Sequence, residues 1–208
     1  MNKYKETFET WNKMADLYES KFMNLDLYND TYDFFCSELH ELNSKILEIG
    51  CGPGNIAKYI LSKRPDFNIL GIDIAPNMVK LAKKNNPIAN FEVMDIRNIS
   101  NLKTIFNGII CGFCLPYLSK LDCSNLFKDC NNLLSKNGIL YLSFVEGEYA
   151  DSGYKTGNND NKVFFYYHSL KYIEKELIKN NFRIIDLKKK NYTNSDIHTI
   201  IIAKKEKL

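Results

Sequence analysis

Three alternating glycines, Gly50, Gly52 and Gly54, could bring the backbone close to a ligand. Glycine has no Cβ, so a turn rich in this residue can bend sharply and pass near a bound molecule. The apolar segment 45–49 before the turn is typical of a buried strand, and helical spacing begins at Asn55. Because the free N–H groups of a helix N-terminus favour anionic or polar groups, the pattern predicts a site for a nucleoside-type cofactor.

Two acidic residues come at the ends of the next predicted strands. Asp73 ends the segment Gly-Ile-Asp, and its carboxylate has enough lone pairs to accept hydrogen bonds from both hydroxyls of a ribose. Asp95 ends the following strand. The alternatives are that Asp73 caps the helix that starts near Pro76, and that Asp95 is an exposed turn residue.

The spacing Glu48-x-Gly50-x-Gly52-x-Gly54 resembles motif I of the class I, seven-stranded and Rossmann-like, S-adenosylmethionine-dependent methyltransferases. A dinucleotide-binding fingerprint would place its third glycine at position 55, where this chain has asparagine. A nicotinamide oxidoreductase is therefore disfavoured. The resemblance covers nearly the whole chain, and it implies S-adenosyl-L-methionine as cofactor and S-adenosyl-L-homocysteine as product.

The resemblance also assigns roles to residues. It implies that Glu48 organises the glycine turn and reaches the methionine ammonium, that Asp73 binds the ribose and that Asp95 accepts the adenine amino group. The other expected cofactor contacts are Tyr18, Gly50, Cys51, Gly52, Gly54, Ile74, Met78, Met94, Ile96, Cys111 and Gly112. No metal is expected, because the Cys111-x-x-Cys114 pair lacks a second pair at similar spacing.

The methyl acceptor should meet the donor at the exit of the fourth strand, where the sequence reads Cys114-Leu-Pro-Tyr117. Related enzymes that methylate nucleic-acid amines often carry Asn/Asp-Pro-Pro-Tyr/Phe here, so the departure counts against that class. Tyr117 is a candidate acceptor-site residue. His168 is the first candidate for a general base, although a structural role near the last helix is equally expected. His40 and His198 are weaker candidates.

Segments typical of strands alternate along the chain with segments typical of helices. This order predicts an α/β fold, a doubly wound and mostly parallel seven-stranded sheet that ends in an antiparallel hairpin. Strands are predicted at 45–49, 68–73, 90–94, 108–112, 138–145, 182–187 and 197–203. Helices are predicted at 54–62, 75–84, 121–134 and 170–180, with a stop at Asn137-Gly138, and 146–162 is predicted to be a long loop. Aromatic residues at helical spacing predict an N-terminal helical cap over 1–44 on a core of 45–208, the whole forming a single domain.

The 208 residues carry a formal net charge of +3 and are 45% hydrophobic, which is typical of a globular protein. No apolar run reaches the roughly 20 residues that span a bilayer, and six cysteines are compatible with a reducing compartment. These features predict a cytoplasmic protein, monomeric or homodimeric, with a small-molecule acceptor and no membrane or nucleic-acid partner. The alternatives are an RNA or protein methyltransferase, or a non-catalytic protein that binds S-adenosylmethionine.

Overall fold

A computed structural model describes residues 3–157, 161–193 and 196–206. The α-helices are α1 (Lys3–Lys13), α2 (Ala15–Phe22), α3 (Asn29–Ser37), α4 (Asn55–Lys63), α5 (Pro76–Asn85), α6 (Lys120–Leu133) and α7 (Leu170–Lys179). The strands are β1 (Lys45–Ile49), β2 (Asn68–Asp73), β3 (Asn90–Val93), β4 (Phe106–Gly112), β5 (Leu134–Val145), β6 (Gly153–Thr156), β7 (Lys162–Phe165), β8 (Phe182–Asn191) and β9 (Ile197–Lys205).

Seven strands form one sheet in the order β3-β2-β1-β4-β5-β9-β8. The five strands β1 to β5 pair in parallel, whereas β9 runs antiparallel to both β5 and β8. The predicted fold class, with its closing antiparallel hairpin, is confirmed. The strand order along the sheet reverses direction between β1 and β4. Open parallel sheets bind ligands at the carboxyl ends of the strands beside such a reversal.

Apolar side chains cover both faces of this sheet. One face packs against α6 and α7 through Phe127 and Leu177, and the other packs against α3 and α4 through Phe35 and Ile60. All four side chains are fully buried. Helices on both faces explain why β1 and β4 read as continuous apolar runs rather than as alternating ones.

Two boundaries differ from the predictions. Helix α6 ends at Leu133, and β5 starts at once, because Leu134 pairs with Phe106 before a bulge shifts the register. Asn137-Gly138 therefore lies inside the strand and does not stop the helix. The predicted loop over 146–162 contains β6, which pairs antiparallel with β7.

The N-terminal helices lie against this second, two-stranded sheet. The Thr10 hydroxyl donates to the carbonyl of Lys162 (2.7 Å), and the Phe164 amide donates to the Thr7 hydroxyl (2.9 Å). Helices α1 and α2 also contact α5, where Phe8, Trp11 and Tyr18 surround Met78. Among the described helices, none combines the length and the apolar character that crossing a bilayer requires.

Candidate active site

A cavity of about 160 Å³ opens at the carboxyl ends of β1, β2 and β4, beneath α1 and α2. Its walls combine residues from the glycine turn, the two strand-end acids and the helical cap. The cofactor-site predictions that fall on its lining are Tyr18, Gly50, Gly52, Asp73, Ile74, Met78, Met94, Asp95, Ile96 and Gly112. Tyr117, predicted for the acceptor site, lines it as well.

Asp73 fixes the glycine turn. One carboxylate oxygen accepts a hydrogen bond from the Gly52 amide (2.9 Å), and the other accepts one from the Ala75 amide (2.9 Å) at the start of α5. Ala75 is itself the N-cap of α5, so Asp73 bonds to the residue before the helix and does not cap it. Each carboxylate oxygen keeps a further lone pair for a ligand. Burial raises the pKa of Asp73, and the backbone N–H donors oppose that rise.

Asp95 is held by Arg97, a residue that the sequence analysis did not select. The Arg97 backbone N–H donates to Asp95 (2.9 Å), and its guanidinium bonds to both carboxylate oxygens. The guanidinium also lies 4.1 Å from the centre of the Tyr4 ring, in a cation–π contact. An adenine amino group would share the carboxylate with this ion pair, which lowers the pKa of Asp95 against the effect of burial.

Glu48 is 1% exposed and lines neither this cavity nor the neighbouring one. Neither of its carboxylate oxygens has a hydrogen bond of ordinary geometry within the described part of the chain, although the Ala57 backbone N–H lies close enough to act on its charge. Burial, reinforced by the nearby charge of Asp73, raises the pKa of Glu48 to about 8, and the backbone N–H of Ala57 only partly offsets this. A buried carboxyl group without a charged partner is costly, and groups perturbed in this way are common at functional sites.

The close packing of the turn shows why position 50 suits glycine. Gly50 has φ +65°, and a Cβ there would lie 2.2 Å from the Cys114 sulfur. That sulfur donates to the Ile49 carbonyl (3.0 Å), so it could rotate away only by giving up this bond. The turn therefore presents bare backbone to the cavity, as a tightly held cofactor requires.

A second cavity of about 210 Å³ adjoins the first. The two share Trp11, Tyr18, Gly50, Gly52, Gly112, Phe113 and Tyr117 as lining residues. The Trp11 ring meets the rings of Tyr18 and Tyr117 edge-on, each at 5.7 Å between centres, and these three side chains stand between the cavities. Half of the remaining lining residues of the second cavity are aromatic, and the others include Cys51 of the glycine turn.

Four predicted site residues lie outside both cavities: Glu48, Gly54, Cys111 and His168. Gly54 begins α4 and packs against α5, and Cys111 is fully buried in the core. Gly54 and Cys111 therefore pack behind the residues that line the cavities and do not line them.

The prediction that His168 serves as a general base is wrong on position. Its Nε2 lies 3.1 Å from the Leu115 carbonyl and 3.0 Å from the Leu118 carbonyl. Its Nδ1 is sealed in the core with no hydrogen-bond partner among the described residues. The ring therefore holds the 115–118 turn and offers no nitrogen to a methyl acceptor. Of the aromatic segment before it, Phe165 lines the second cavity, whereas His168 lies beyond it, just before α7.

The cysteine pair at the end of β4 is not set up for redox chemistry. The adjacent Cys111 thiol and burial hold the pKa of Cys114 well above its usual value. Reactive cysteines need a thiolate at neutral pH, which these surroundings disfavour. All six cysteines are free, and the described residues contain no cluster of three or more His, Cys, Asp or Glu side chains that could hold a metal ion.

Residues 46–138 match the methyltransferase domain family. Protein 235L of Invertebrate iridescent virus 6 is 32% identical over 137 residues, which cover 65% of this chain and 49% of that protein. Other relatives carry names that assign a release-factor glutamine or a tRNA cytidine as methyl acceptor. The chain spans about half the length, or less, of the first curated relatives that it matches.

Solved structures share the fold. An S-adenosylmethionine-dependent methyltransferase from Clostridium acetobutylicum ATCC 824 aligns with a TM-score of 0.74 at 17% identity, covering 95% of this chain and 99% of that one. The 1,6-didemethyltoxoflavin-N1-methyltransferase of Burkholderia thailandensis, solved with its acceptor and S-adenosylhomocysteine, aligns with a TM-score of 0.71 at 14% identity, covering 94% and 85%. At these identities the likeness establishes the fold.

Proposed function

We propose that this chain, which carries a methyltransferase domain of the class I, S-adenosylmethionine-dependent family, transfers a methyl group from S-adenosyl-L-methionine to a small-molecule acceptor. The observation that carries the proposal is the pair of adjoining cavities, which share the glycine turn and an aromatic partition. The first cavity has the strand-end acids of a nucleoside site, and the second has walls suited to an apolar acceptor.

The residues of the first cavity fit the cofactor. The lone pairs of Asp73 suit a ribose diol, and the apolar side chains of Met78, Met94 and Ile96 suit the faces of an adenine. Glu48 lies outside the cavity, and its buried carboxyl group would act on a methionine ammonium from behind the glycine turn. When bound, S-adenosylmethionine supplies an activated methyl group on a sulfonium.

The protein's own task is to align the two reactants and to exclude water. Tyr18 and Tyr117 close the partition between the cavities, and helices α1 and α2 cover the first one. This arrangement leaves the acceptor to enter through the second cavity.

Titration calorimetry with S-adenosylmethionine and S-adenosylhomocysteine, with NAD as control, tests the cofactor. We expect micromolar binding of the first two and none of NAD, and the reverse pattern would refute the proposal. Release of S-adenosylhomocysteine on incubation with a panel of small acceptors then tests turnover. Methylation of tRNA or protein with no reaction of small acceptors would contradict the assignment of a small acceptor, and cofactor binding without any transfer would indicate a sensor.

Substituting Asp73 with alanine is expected to weaken S-adenosylhomocysteine binding by about 1–3 kcal/mol, the cost of losing charge-assisted hydrogen bonds. Asp73→Asn should lose less, because the amide oxygen can still accept from one of the two backbone donors, Gly52 or Ala75. Calorimetry and thermal unfolding measure both variants. If Asp73→Ala binds S-adenosylhomocysteine as tightly as the wild type, Asp73 does not bind the ribose.

The remaining assignments extend this proposal. We place the protein in the cytoplasm, where its six free cysteines would stay reduced, and we treat residues 1–208 as one domain with a cap over 1–44. Sedimentation analysis would decide between a monomer and a homodimer.

A further inference from the structure

The second cavity is lined by aromatic rings and carries no charge. Six rings besides the partition form much of its wall: Phe22, Tyr28, Tyr32, Phe113, Phe165 and Tyr192. Within the described ranges, no carboxylate, ammonium or guanidinium group lines it. Burying an unpaired charge is costly, and aromatic walls pack well against flat rings. The cavity therefore favours an uncharged, planar aromatic ligand over a phosphorylated, carboxylated or cationic one.

One titratable ring faces this cavity. His198 starts β9 beside Val145, at the carboxyl end of β5, and both residues line the cavity. The ring stacks on Tyr192 at 4.9 Å between centres and meets Phe113 edge-on at 4.7 Å. These contacts fix the imidazole plane in the wall.

The two ring nitrogens of His198 differ. Nδ1 lies 2.6 Å from the Tyr28 hydroxyl, and both side chains are buried. Nε2 has no hydrogen-bond partner among the described residues, yet unlike Nδ1 of His168 it is not sealed from contact. This pair can bond in two ways: the Tyr28 O–H can donate to Nδ1, or Nδ1–H can donate to the Tyr28 oxygen. The second arrangement leaves the lone pair of Nε2 free, and it is the tautomer that a proton acceptor needs.

The surroundings keep the imidazole neutral. Burial lowers the pKa of His198, and the charge of Asp196 only partly opposes this. On the neighbouring strand β8, Lys190 is the backbone pairing partner of His198. Its ammonium forms an ion pair with the Asp30 carboxylate at 2.7 Å. Tyr28 and Tyr192 are the other titratable groups against the ring. At neutral pH the base form is populated.

We propose that the second cavity binds an uncharged aromatic acceptor with an ionisable O–H or N–H group, and that Nε2 of His198 takes the proton from that group. This inference rests on the proposed function. As the bond from the acceptor oxygen or nitrogen to the methyl carbon forms, the carbon–sulfur bond of the donor breaks and its electron pair stays on sulfur. The acceptor proton passes to Nε2, and the imidazolium is stabilised by its Nδ1–H bond to Tyr28.

A coloured phenol tests the proton acceptor without turnover. 4-Nitrophenol is flat and uncharged, and only its phenolate absorbs visible light. In the presence of saturating S-adenosylhomocysteine, we expect the bound probe to ionise at least about one pH unit above the free probe, because burial disfavours the phenolate and the neutral imidazole can accept a hydrogen bond only from the O–H form. In His198→Gln this rise should be smaller, since the glutamine amide N–H can donate to the phenolate. Tyr28→Phe should give an intermediate shift.

His40→Gln is the matched control, because His40 is exposed and outside both cavities. Circular dichroism and calorimetry with S-adenosylhomocysteine confirm that each variant is folded and binds the cofactor product. A probe that ionises equally in wild type and His198→Gln, or that fails to bind while S-adenosylhomocysteine binds, would overturn the inference and leave the proposed function standing. Failure of the wild type to bind S-adenosylhomocysteine would overturn both.

Discussion

Replacing Gly54 by alanine is expected to destabilise the domain more than replacing Gly52 by alanine in the same turn. Gly54 has φ +82°, and a Cβ there would lie 2.4 Å from Nδ2 of Asn86 and 3.2 Å from the Cα of Ala82. The left-handed backbone costs about 1–2 kcal/mol for a residue with a side chain. The clash adds to this, because the Ala82 contact is with backbone that cannot rotate away.

The Asn86 amide makes the clash expensive. Asn86 is 4% exposed, and its Nδ2 donates to the Gly54 carbonyl (2.9 Å) and, more weakly, to Ala82. Displacing it would leave a buried donor unsatisfied, at a cost of about 1–3 kcal/mol. We expect Gly54→Ala to lower the free energy of unfolding by roughly 2–5 kcal/mol and to reduce cofactor affinity through disorder of the turn.

Two alanine variants serve as controls for Gly54→Ala in urea unfolding. Gly153→Ala should be nearly neutral, because a Cβ at Gly153 meets nothing within 4 Å. Gly52→Ala should show only the backbone strain, since at φ +52° its Cβ finds Tyr18 at an ordinary 3.6 Å. If Gly54→Ala unfolds at the same urea concentration as Gly52→Ala, the packing of the turn on α5 contributes nothing.

Local patterns predict the sheet, and they select the turn and strand-end residues that line the first cavity. The strands β1 and β2, the glycine turn and Asp73 lie within 29 residues of sequence, 45–73, so their order along the chain already implies their meeting at one sheet edge. Arg97 was missed although it neighbours Asp95, because an arginine after a strand is usually exposed and its ion pair depends on the turn geometry.

The acceptor end could not be predicted in the same way. Tyr28 and His198 are separated by 170 positions, and they meet only because the β8–β9 hairpin places the start of β9 beside β5. That register is set by non-local pairing. The aromatic segment before His168 does reach the second cavity, through Phe165, but the His168 ring turns to the carbonyls of Leu115 and Leu118 instead. Strand β6 could not be predicted either, because it lies in a polar segment and forms only by pairing with β7.

Glu48 should make the stability of the free protein fall as pH rises. The folded-state pKa of its carboxyl group is raised from 4.5 to about 8 by burial. Between these values the folded state binds more protons than the unfolded state, so the free energy of unfolding decreases with increasing pH. The slope contributed by one such group is at most about 1.4 kcal/mol per pH unit.

Glu48→Gln is expected to remove this slope, because the amide is neutral at every pH. The variant should match the wild type near pH 5 and be more stable near pH 8. Glu92→Gln, an exposed position on β3, is the matched control and should keep the wild-type slope. Urea unfolding across this pH range measures the three proteins, and parallel curves for wild type and Glu48→Gln would contradict the buried, unpaired state of the carboxyl group.

Bound cofactor should reduce the contribution of Glu48 to this pH dependence of stability. A methionine ammonium near Glu48 would favour the carboxylate and lower its pKa, so saturating S-adenosylhomocysteine is expected to flatten the decline in stability toward pH 8. Glu48→Gln should then bind S-adenosylhomocysteine less tightly, by about 1–3 kcal/mol, while it is the more stable protein without ligand. A residue that destabilises the free protein and stabilises the complex has a role in ligand binding. Equal affinity of wild type and Glu48→Gln for S-adenosylhomocysteine would mean that Glu48 does not interact with the ammonium.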